Sequence, residues 1–328
     1  MNTKRWIAVG AFCGLLFIQI LSSFVTSSDT FAGFEGANWS TEVYRRGIRG
    51  NIAILEINGA IMESDSTSFL STETYRHKEF LEQLEHVFKN DSINGVVLKV
   101  NSPGGGVFES DEIHRKIVSL KEENDKPFVV YMGKLAASGG YYVSAPADKI
   151  YADRNTITGS IGVIIGNLNF KELMDNIGIE ENSIVSGKNK NILSPYQHMS
   201  DEQRQIIQSM VDEIHEQFLD VVSQGRNIEK SKLRSIADGR IYSASQAKDV
   251  GLIDEIGTLD DAIDEVASRA ELSNPNVLKY KHDSLGFLSS FLGDFKGTIF
   301  SRRSIGLSEL EKQVLDTEYS LPMYLWKQ

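Results

Sequence analysis

The sequence predicts an α/β protein with a mostly parallel sheet, preceded by one transmembrane helix. Three observations support this fold class. Short apolar runs alternate with runs of helical period, which is typical of successive βαβ units. Glycine-rich stretches follow two of the apolar runs, where the helices of such units begin. Near the N-terminus, residues 6–25 contain no charged residue, and this is about the length of a helix that crosses a bilayer.

The N-terminal segment predicts an uncleaved, single-pass membrane anchor over 6–25. Lys4 and Arg5 precede the apolar run, and positive charge on that side predicts a cytoplasmic N-terminus over 1–5 and an extracytoplasmic remainder. A cleaved signal peptide is the alternative, although its apolar region is usually shorter, about 7–15 residues. The polar, aperiodic stretch 26–48 predicts a linker outside the membrane.

Strands and helices are predicted in alternation from residue 49 onward. The apolar patterns predict strands at 51–61, 93–102 and 126–133, two short strands within 148–166, and helices at 76–90, 109–122, 201–226 and near 229–237. We therefore expect a globular domain over 49–275 and a C-terminal extension over 276–328, for which the pattern predicts no particular fold.

Charge and cysteine content argue against several classes of protein. The formal net charge of −11 disfavours a nucleic-acid partner, because phosphate binding requires concentrated positive charge. The single cysteine, Cys13, excludes an intrachain disulfide and leaves no cysteine cluster for structural zinc.

The first glycine-rich stretch is NSPGGG at 101–106. It follows a predicted strand and precedes a predicted helix, so its backbone N–H groups favour negative charge at the helix N-terminus. That charge is either a phosphate or the oxyanion of an acyl transfer, although the spacing is neither GxxxxGK[ST] nor GxGxxG. A plain tight turn explains this stretch equally well.

The second stretch, AASGG at 136–140, places Ser138 at another strand-to-helix junction. A serine on such a turn projects its hydroxyl as a nucleophile, with the N–H of Gly139 pointing the same way. A serine that caps the following helix is the alternative interpretation.

A nucleophilic serine needs a base, and histidine is the first candidate. We interpret His77, His86 and His215 as surface residues of charged amphipathic helices, whereas His114 lies in the helix after the first glycine stretch. No histidine occurs between residues 114 and 198, and none has an evident carboxylate partner, so the sequence does not support a Ser-His-Asp triad.

Lysine is the second candidate base. SGKNK at 186–190 places Lys188 and Lys190 in a glycine- and asparagine-rich loop. A lysine acts as a base only when its pKa falls well below about 10.4, as burial without a carboxylate partner causes. A solvated loop lysine is the alternative.

Five motifs in order resemble the signal peptide peptidase A family of serine–lysine membrane proteases. They are NSPGGG, AASGGYYVSAPADKIYA, TGSIGV, SGKNK followed by SP, and GRIYSASQAKDVGLIDEIGTLDDAI. The resemblance covers roughly 50–270 and is greatest to the short, single-unit bacterial form with one anchor. It implies a crotonase-like or Clp-protease-like fold, and it makes 49–275 a peptidase domain.

The resemblance also implies a role for individual residues. Ser138 would be the nucleophile, Lys190 the general base and Ser160 the residue that orients the lysine. Lys188 is the alternative base if the loop alignment shifts by two residues. The oxyanion hole would be formed by backbone N–H groups of Gly139, Gly104 and Gly105.

The activity implied by the resemblance is degradation of remnant signal peptides after their release from preproteins, without a metal or organic cofactor. Family members form ring-shaped homo-oligomers in which a neighbouring subunit can supply the lysine. Two alternatives remain open. One is a crotonase-like CoA-ester hydratase using Glu109 and Asp111, and the other is a non-catalytic membrane-anchored scaffold.

The terminal octapeptide LPMYLWKQ at 321–328 suggests a separate hypothesis. An extended apolar tail would lie in the substrate groove of its own or a neighbouring subunit. A strand packed on the core is the alternative.

Overall fold

A computed structural model of the chain describes residues 39–63, 75–282 and 323–325. The predicted anchor over 6–25 lies outside these residues. Within the described ranges, no helix is both long enough and apolar enough to span a membrane.

Among the described residues, nine strands form one twisted sheet. Its strands are β1 (Trp39–Arg45), β2 (Asn51–Asn58), β3 (Ile93–Ser102), β5 (Phe128–Ala137), β6 (Lys149–Ala152), β7 (Ile157–Gly159), β8 (Ile241–Ser243), β9 (Glu255–Ile256) and β10 (Asn276–His282). The order is β1-β10-β2-β3-β5-β6-β9, with β7 paired to β5 and β8 to β7. Only β1 on β10 and β8 on β7 are antiparallel, so the predicted mostly parallel sheet is confirmed.

The helices cover both faces of the sheet. They are α1 (His77–Lys89), α2 (Val107–Glu123), α3 (Gly139–Tyr142), α4 (Lys171–Asn176), α5 (Asp201–Arg226), α6 (Lys230–Leu233), α7 (Ala244–Asp249) and α8 (Leu259–Arg269). Alternate residues of a strand point to opposite faces. Thus Leu55 packs in the cluster that holds α1, α2 and α5, whereas its neighbour Ile54 packs with Ile263 and Val266 of α8.

Capping residues explain where the longest helix begins and ends. Ser200 accepts a hydrogen bond from the Gln203 N–H, and the Gln203 side chain accepts one in return from the Ser200 N–H. This reciprocal capping box satisfies two backbone donors at the start of α5. Asn227 ends the helix in the left-handed conformation, with φ 51°. The bounds predicted for this helix, 201–226, agree with the structure.

Two strands lie in segments for which the sequence pattern predicted no strand. β1 falls in the predicted linker, and β10 falls in the predicted C-terminal extension. β10 pairs in parallel with β2 and antiparallel with β1, so both strands belong to the main sheet although they lie outside the predicted bounds 49–275. The sequence pattern did not indicate β1, because it is a largely exposed edge strand without apolar alternation. It did not indicate β10, because that strand carries lysines, one of which, Lys279, is paired to Glu56 at 2.8 Å.

The glycine stretch forms a short strand of its own. β4 (Gly104–Gly106) pairs antiparallel with β11 (Met323–Leu325), a segment of the C-terminal tail. β11 also lies against α2 and α3. The tail therefore returns to the carboxyl end of β3, where β4 begins.

Candidate active site

Ser138 occupies a strained turn between β5 and α3. Its backbone has φ 53° and ψ −115°, a conformation that residues other than glycine rarely adopt. Two backbone hydrogen bonds hold the turn. The Ser138 N–H donates to the Gly159 carbonyl at 2.8 Å, and the Ser138 carbonyl accepts from the Tyr141 N–H at 2.9 Å. The Ser138 side chain makes no capping hydrogen bond, so the helix-capping interpretation is wrong. A strained strand-to-helix turn is typical of a nucleophilic serine.

Glycines let α3 approach the end of β3 and strand β4 closely. A Cβ atom on Gly139 would lie 2.5 Å from Ser110 Oγ and 3.1 Å from Gly105 N. A Cβ atom on Gly140 would lie 2.9 Å from the Ser102 carbonyl oxygen. Contacts this short leave no room for a side chain. The two glycine stretches predicted to form one oxyanion hole are therefore brought together.

The backbone of β4 determines which glycine N–H remains for a substrate. Ile61 N donates to the Gly104 carbonyl at 2.8 Å, and Gly106 N donates to the Ile61 carbonyl at 2.8 Å. Gly104 N already donates to Ser102 Oγ at 3.1 Å. Because successive peptide groups of a strand face alternate sides, Gly105 faces away from Ile61 and toward β11. This makes Gly105 a better candidate donor than Gly104.

The tail strand β11 occupies the free side of β4. Its antiparallel register places Met323 opposite Gly106 and Leu325 opposite Gly104. A peptide bound as an added strand would use the same side of β4. The pairing supports the hypothesis that the tail lies in a substrate groove, which stays a prediction.

Ser160 is brought next to the Ser138 turn through the backbone. β7 pairs in parallel with β5, with Gly159 opposite Ala137, and the Gly159 carbonyl accepts the Ser138 N–H. Ser160 follows directly, with φ 50°, and its N–H donates to the Arg240 carbonyl at 2.8 Å. Ser160 and Ser138 are both buried, so two left-handed serines lie at the ends of adjacent strands.

Lys190 lies in a run of turns between α4 and α5. Its N–H donates to the Gly187 carbonyl at 2.9 Å, and its side chain is exposed. Within the part of the chain that the structure describes, no hydrogen bond joins Lys190 Nζ to Ser138 or Ser160. The contacts found among the described residues bring together Ser138, Ser160 and the glycines, and none of these contacts involves the Lys190 side chain.

Lys188 has a carboxylate partner. Its Nζ lies 2.7 Å from Glu202 Oε2, and the side chain is 75% exposed. The hydrogen bonds from Lys188 and Asn189 lower the pKa of Glu202. The Lys188 ammonium is already engaged by a carboxylate. The structure thus favours Lys190 over Lys188.

The segment that carries Lys190 exposes many large apolar side chains. The exposed ones between 164 and 196 are Ile164, Leu168, Phe170, Leu173, Ile177, Ile179, Ile184, Val185 and Tyr196. So many exposed apolar side chains within one segment are unusual on a monomer, and large exposed apolar patches often mark interaction sites.

The histidines do not supply an evident base. His77, predicted to lie on the surface, is instead buried, with Tyr75 Oη 2.7 Å from its Nδ1 and Glu112 Oε2 2.8 Å from its Nε2. His114 packs edge-on against Tyr142, with ring centroids 5.3 Å apart, and burial lowers its pKa. Neither is hydrogen-bonded to Ser138 within the described residues.

The carboxylates of the hydratase alternative have other partners. Glu63 N donates to Glu109 Oε1 at 3.3 Å. Asp111 accepts from Tyr142 Oη at 2.8 Å and pairs with Arg115 at 2.7 Å. Both side chains therefore stabilise the region around α2, which argues against their acting as an acid and a base.

Comparison with known proteins identifies the family. Residues 121–273 match the model of Peptidase family S49. The "Putative signal peptide peptidase SppA" of Enterococcus faecium is 39% identical over 307 residues, which are 90% of this chain and 89% of that protein. The chain belongs to the signal peptide peptidase A family. The resemblance inferred from the five motifs is thereby confirmed, and the chain is a serine-type peptidase.

More distant members of the family also match. "Protease 4" of Haemophilus influenzae is 29% identical over 76% of this chain and 40% of its own length. "Serine protease SPPA, chloroplastic" of Arabidopsis thaliana is 28% identical over 69% of this chain and 33% of its own length. The part matched by the family model includes Ser138, Ser160 and Lys190, whereas the NSPGGG stretch precedes it.

Proposed function

We propose that this chain is a membrane-anchored serine endopeptidase that uses Ser138 and Lys190 to degrade remnant signal peptides. The observation that carries the proposal is the strained Ser138 turn, packed through Gly139 against the glycine strand β4. An anchor over 6–25 would hold the catalytic domain at the extracytoplasmic surface, where such remnants lie.

The proposed mechanism is an acyl transfer through Ser138. Deprotonated Lys190 takes the proton of Ser138 Oγ as that oxygen attacks a peptide carbonyl. The carbonyl oxygen becomes an oxyanion, which accepts hydrogen bonds from the N–H groups of Gly139 and Gly105. The lysine then gives its proton to the leaving amine. Water attacks the acyl-enzyme, with the lysine acting again as the base.

A neighbouring subunit supplies Lys190 in this proposal. Ser138 is 1% exposed and Lys190 is exposed, and no hydrogen bond joins their side chains among the described residues, which supports a lysine from a second chain. The apolar segment 164–196 would be covered by a second copy in a ring-shaped homo-oligomer. That contact would also remove the lysine from water, which favours its neutral form.

Mixing inactive variants tests this arrangement. Ser138→Ala and Lys190→Ala chains carrying different tags are co-assembled, and mixed assembly is verified by sequential purification on both tags. Recovered activity indicates a site shared between chains, because each mixed interface can combine an intact serine with an intact lysine. Verified mixed assemblies without activity would contradict it.

Extended apolar peptides are the substrates that suit this site. Such a peptide adds to β4 as an antiparallel strand, in the position that β11 occupies. Remnant signal peptides have this character. The tail then acts as an internal competitor for the same strand position.

Hydrolysis of a fluorogenic apolar peptide by the full chain in detergent tests the assignment of the dyad. Ser138→Ala and Lys190→Ala should each abolish turnover, whereas the matched variant Lys188→Ala should retain it. Thermal unfolding and oligomeric state are measured for every variant. If Lys190→Ala kept full activity in an intact assembly, Lys190 would be excluded as the general base, and His114 would be the next candidate for that role.

A further inference from the structure

Ser110, on α2, carries a buried hydroxyl without a hydrogen-bond partner. The residue is fully buried, and its Oγ finds no donor or acceptor among the described residues. A buried polar group in this state is costly, because it loses its bonds to water and gains none. Helical serines often avoid the cost by donating to a carbonyl one turn earlier. Ser144, in the turn directly after α3, makes the same kind of bond, donating to the Gly140 carbonyl at 2.7 Å.

The unpaired hydroxyl lies where the Ser138 turn meets β4. The Cβ position of Gly139 is 2.5 Å from Ser110 Oγ, 3.1 Å from Gly105 N and 3.2 Å from Gly104 Cα. Ser110 therefore borders the same small region as the two candidate oxyanion donors. A hydroxyl at this point can influence the separation of those donors.

A second unpaired polar atom lies on the same face of α2. His114 Nδ1 is buried and without a partner among the described residues, and His114 follows Ser110 by four residues. Residues at this spacing are neighbours on a helix surface. Ser110 faces Gly139, and the His114 ring packs on Tyr142, so both meet the short helix α3 that follows Ser138. Because Ser110 Oγ and His114 Nδ1 both face this helix without a partner in the described part of the chain, we expect them to form hydrogen bonds at another stage of the reaction.

We propose that Ser110 is a positioning residue of the oxyanion hole. The inference rests on the proposed role of Ser138 as nucleophile. As the tetrahedral intermediate forms, the Ser110 hydroxyl donates a hydrogen bond to a backbone carbonyl of β4 and fixes the distance between the Gly105 and Gly139 N–H groups. Oxyanion donors act only within about 2.7–3.1 Å of the oxyanion, so small displacements reduce the rate.

Kinetics of the full-length enzyme in detergent test this role. Wild type and Ser110→Ala are compared for kcat and KM on an apolar fluorogenic peptide, and for inhibition by a boronic acid peptide of the same sequence, which mimics the tetrahedral intermediate. Ser110→Ala should lower kcat about tenfold, the size of one neutral hydrogen bond, and weaken the boronic acid by the same factor. KM should not change, because the bond serves the transition state.

A matched control separates positioning from folding. Ser144→Ala removes a buried hydroxyl that has a partner, so it should lower the melting temperature and leave kcat unchanged. Ser110→Ala should not lower the melting temperature, because its hydroxyl is unpaired in the free enzyme. Ser110→Cys has a side chain of similar volume but a weaker hydrogen-bond donor, so it should recover only part of the kcat that Ser110→Ala loses. If the Ser110 side chain only filled space, Ser110→Cys would recover kcat fully.

The outcomes distinguish this inference from the proposed function. Wild-type kcat and boronic acid affinity in Ser110→Ala would overturn the inference and leave the Ser138 assignment intact. Full recovery in Ser110→Cys would overturn it in favour of packing. If wild type neither cleaves the peptide nor binds the boronic acid, the proposed function fails, and the inference fails with it.

Discussion

Replacing Gly139 by alanine tests the packing of the nucleophile turn against β4. The added Cβ would lie 2.5 Å from Ser110 Oγ, 3.1 Å from Gly105 N and 3.2 Å from Gly104 Cα. Ordinary contact between heavy atoms begins near ~3.5 Å, so the Ser110 hydroxyl must move away by about 1 Å or β4 and α3 must separate. Overpacking of this kind typically destabilises a protein by about 1–3 kcal/mol.

The expected effect on catalysis is larger than the effect on stability. An oxyanion donor works within a range of about 0.4 Å, so a displacement approaching 1 Å removes it from use. Loss of one donor typically lowers kcat by about 10²–10³. We therefore expect Gly139→Ala to lose activity by that factor while it remains folded at the assay temperature. The measurement is kcat and KM on an apolar fluorogenic peptide, together with thermal unfolding.

Gly133→Ala is the matched control, in the same strand that leads to Ser138. Its added Cβ would meet nothing closer than the Val100 carbonyl oxygen at 3.6 Å, which is ordinary contact. This variant should keep both activity and stability. If Gly139→Ala retained kcat within threefold of wild type, the close packing of the turn on β4 would not belong to the active enzyme, and the reasoning would be refuted.

Three further predictions address the tail, Ser160 and the sheet. Deleting 321–328 should raise peptidase activity if the tail competes with substrate on β4; unchanged or lower activity would contradict this. Ser160→Ala should lower kcat in a folded, assembled enzyme, because the hydroxyl proposed to orient the lysine is lost; wild-type kcat would remove that role. Burial opposes ionisation of Glu56, but hydrogen bonds from Lys279 and Lys99 keep its pKa below the ordinary value. Its contribution to stability is thus present above the unfolded pKa of about 4.3 and lost as pH falls through the lower folded pKa. The difference in unfolding free energy between wild type and Glu56→Gln should therefore shrink below pH 4, and a difference that stays constant would exclude the ion pairs as its source.

The parts of the fold that follow strong periodicity could be predicted from the sequence. The buried strands β2, β3 and β5 are runs of apolar residues, and α5 begins at a serine followed three residues later by glutamine. The edge strand β1 could not be predicted in this way, because most of its side chains contact solvent and carry no alternation. His77 was placed on the surface because its neighbours are charged, whereas hydrogen bonds to Tyr75 and Glu112 compensate its burial.

At the candidate site, the sequence indicates candidate residues but not how they are arranged in space. Gly139 and Gly140 follow Ser138 in the sequence, and the structure shows that their lack of a side chain lets backbone segments approach closely. The positive φ of Ser138 and Ser160 depends on the pairing of β5 with β7, which no local pattern contains. Likewise, the sequence does not indicate that the Gly104 N–H donates a hydrogen bond to Ser102 Oγ.

The strand β4 consists of glycine alone, and this has a consequence for selectivity. Gly104–Gly106 presents main-chain atoms and no side chains to whatever lies beside it. Every extended polypeptide offers the same main-chain partners, so this edge distinguishes little between amino-acid sequences. In a folded protein, the N–H and carbonyl groups of extended segments are mostly hydrogen-bonded within that protein already, so they are not free to pair with β4. We therefore expect intact, folded proteins to escape cleavage because of their conformation, while unstructured fragments of many different sequences are accepted.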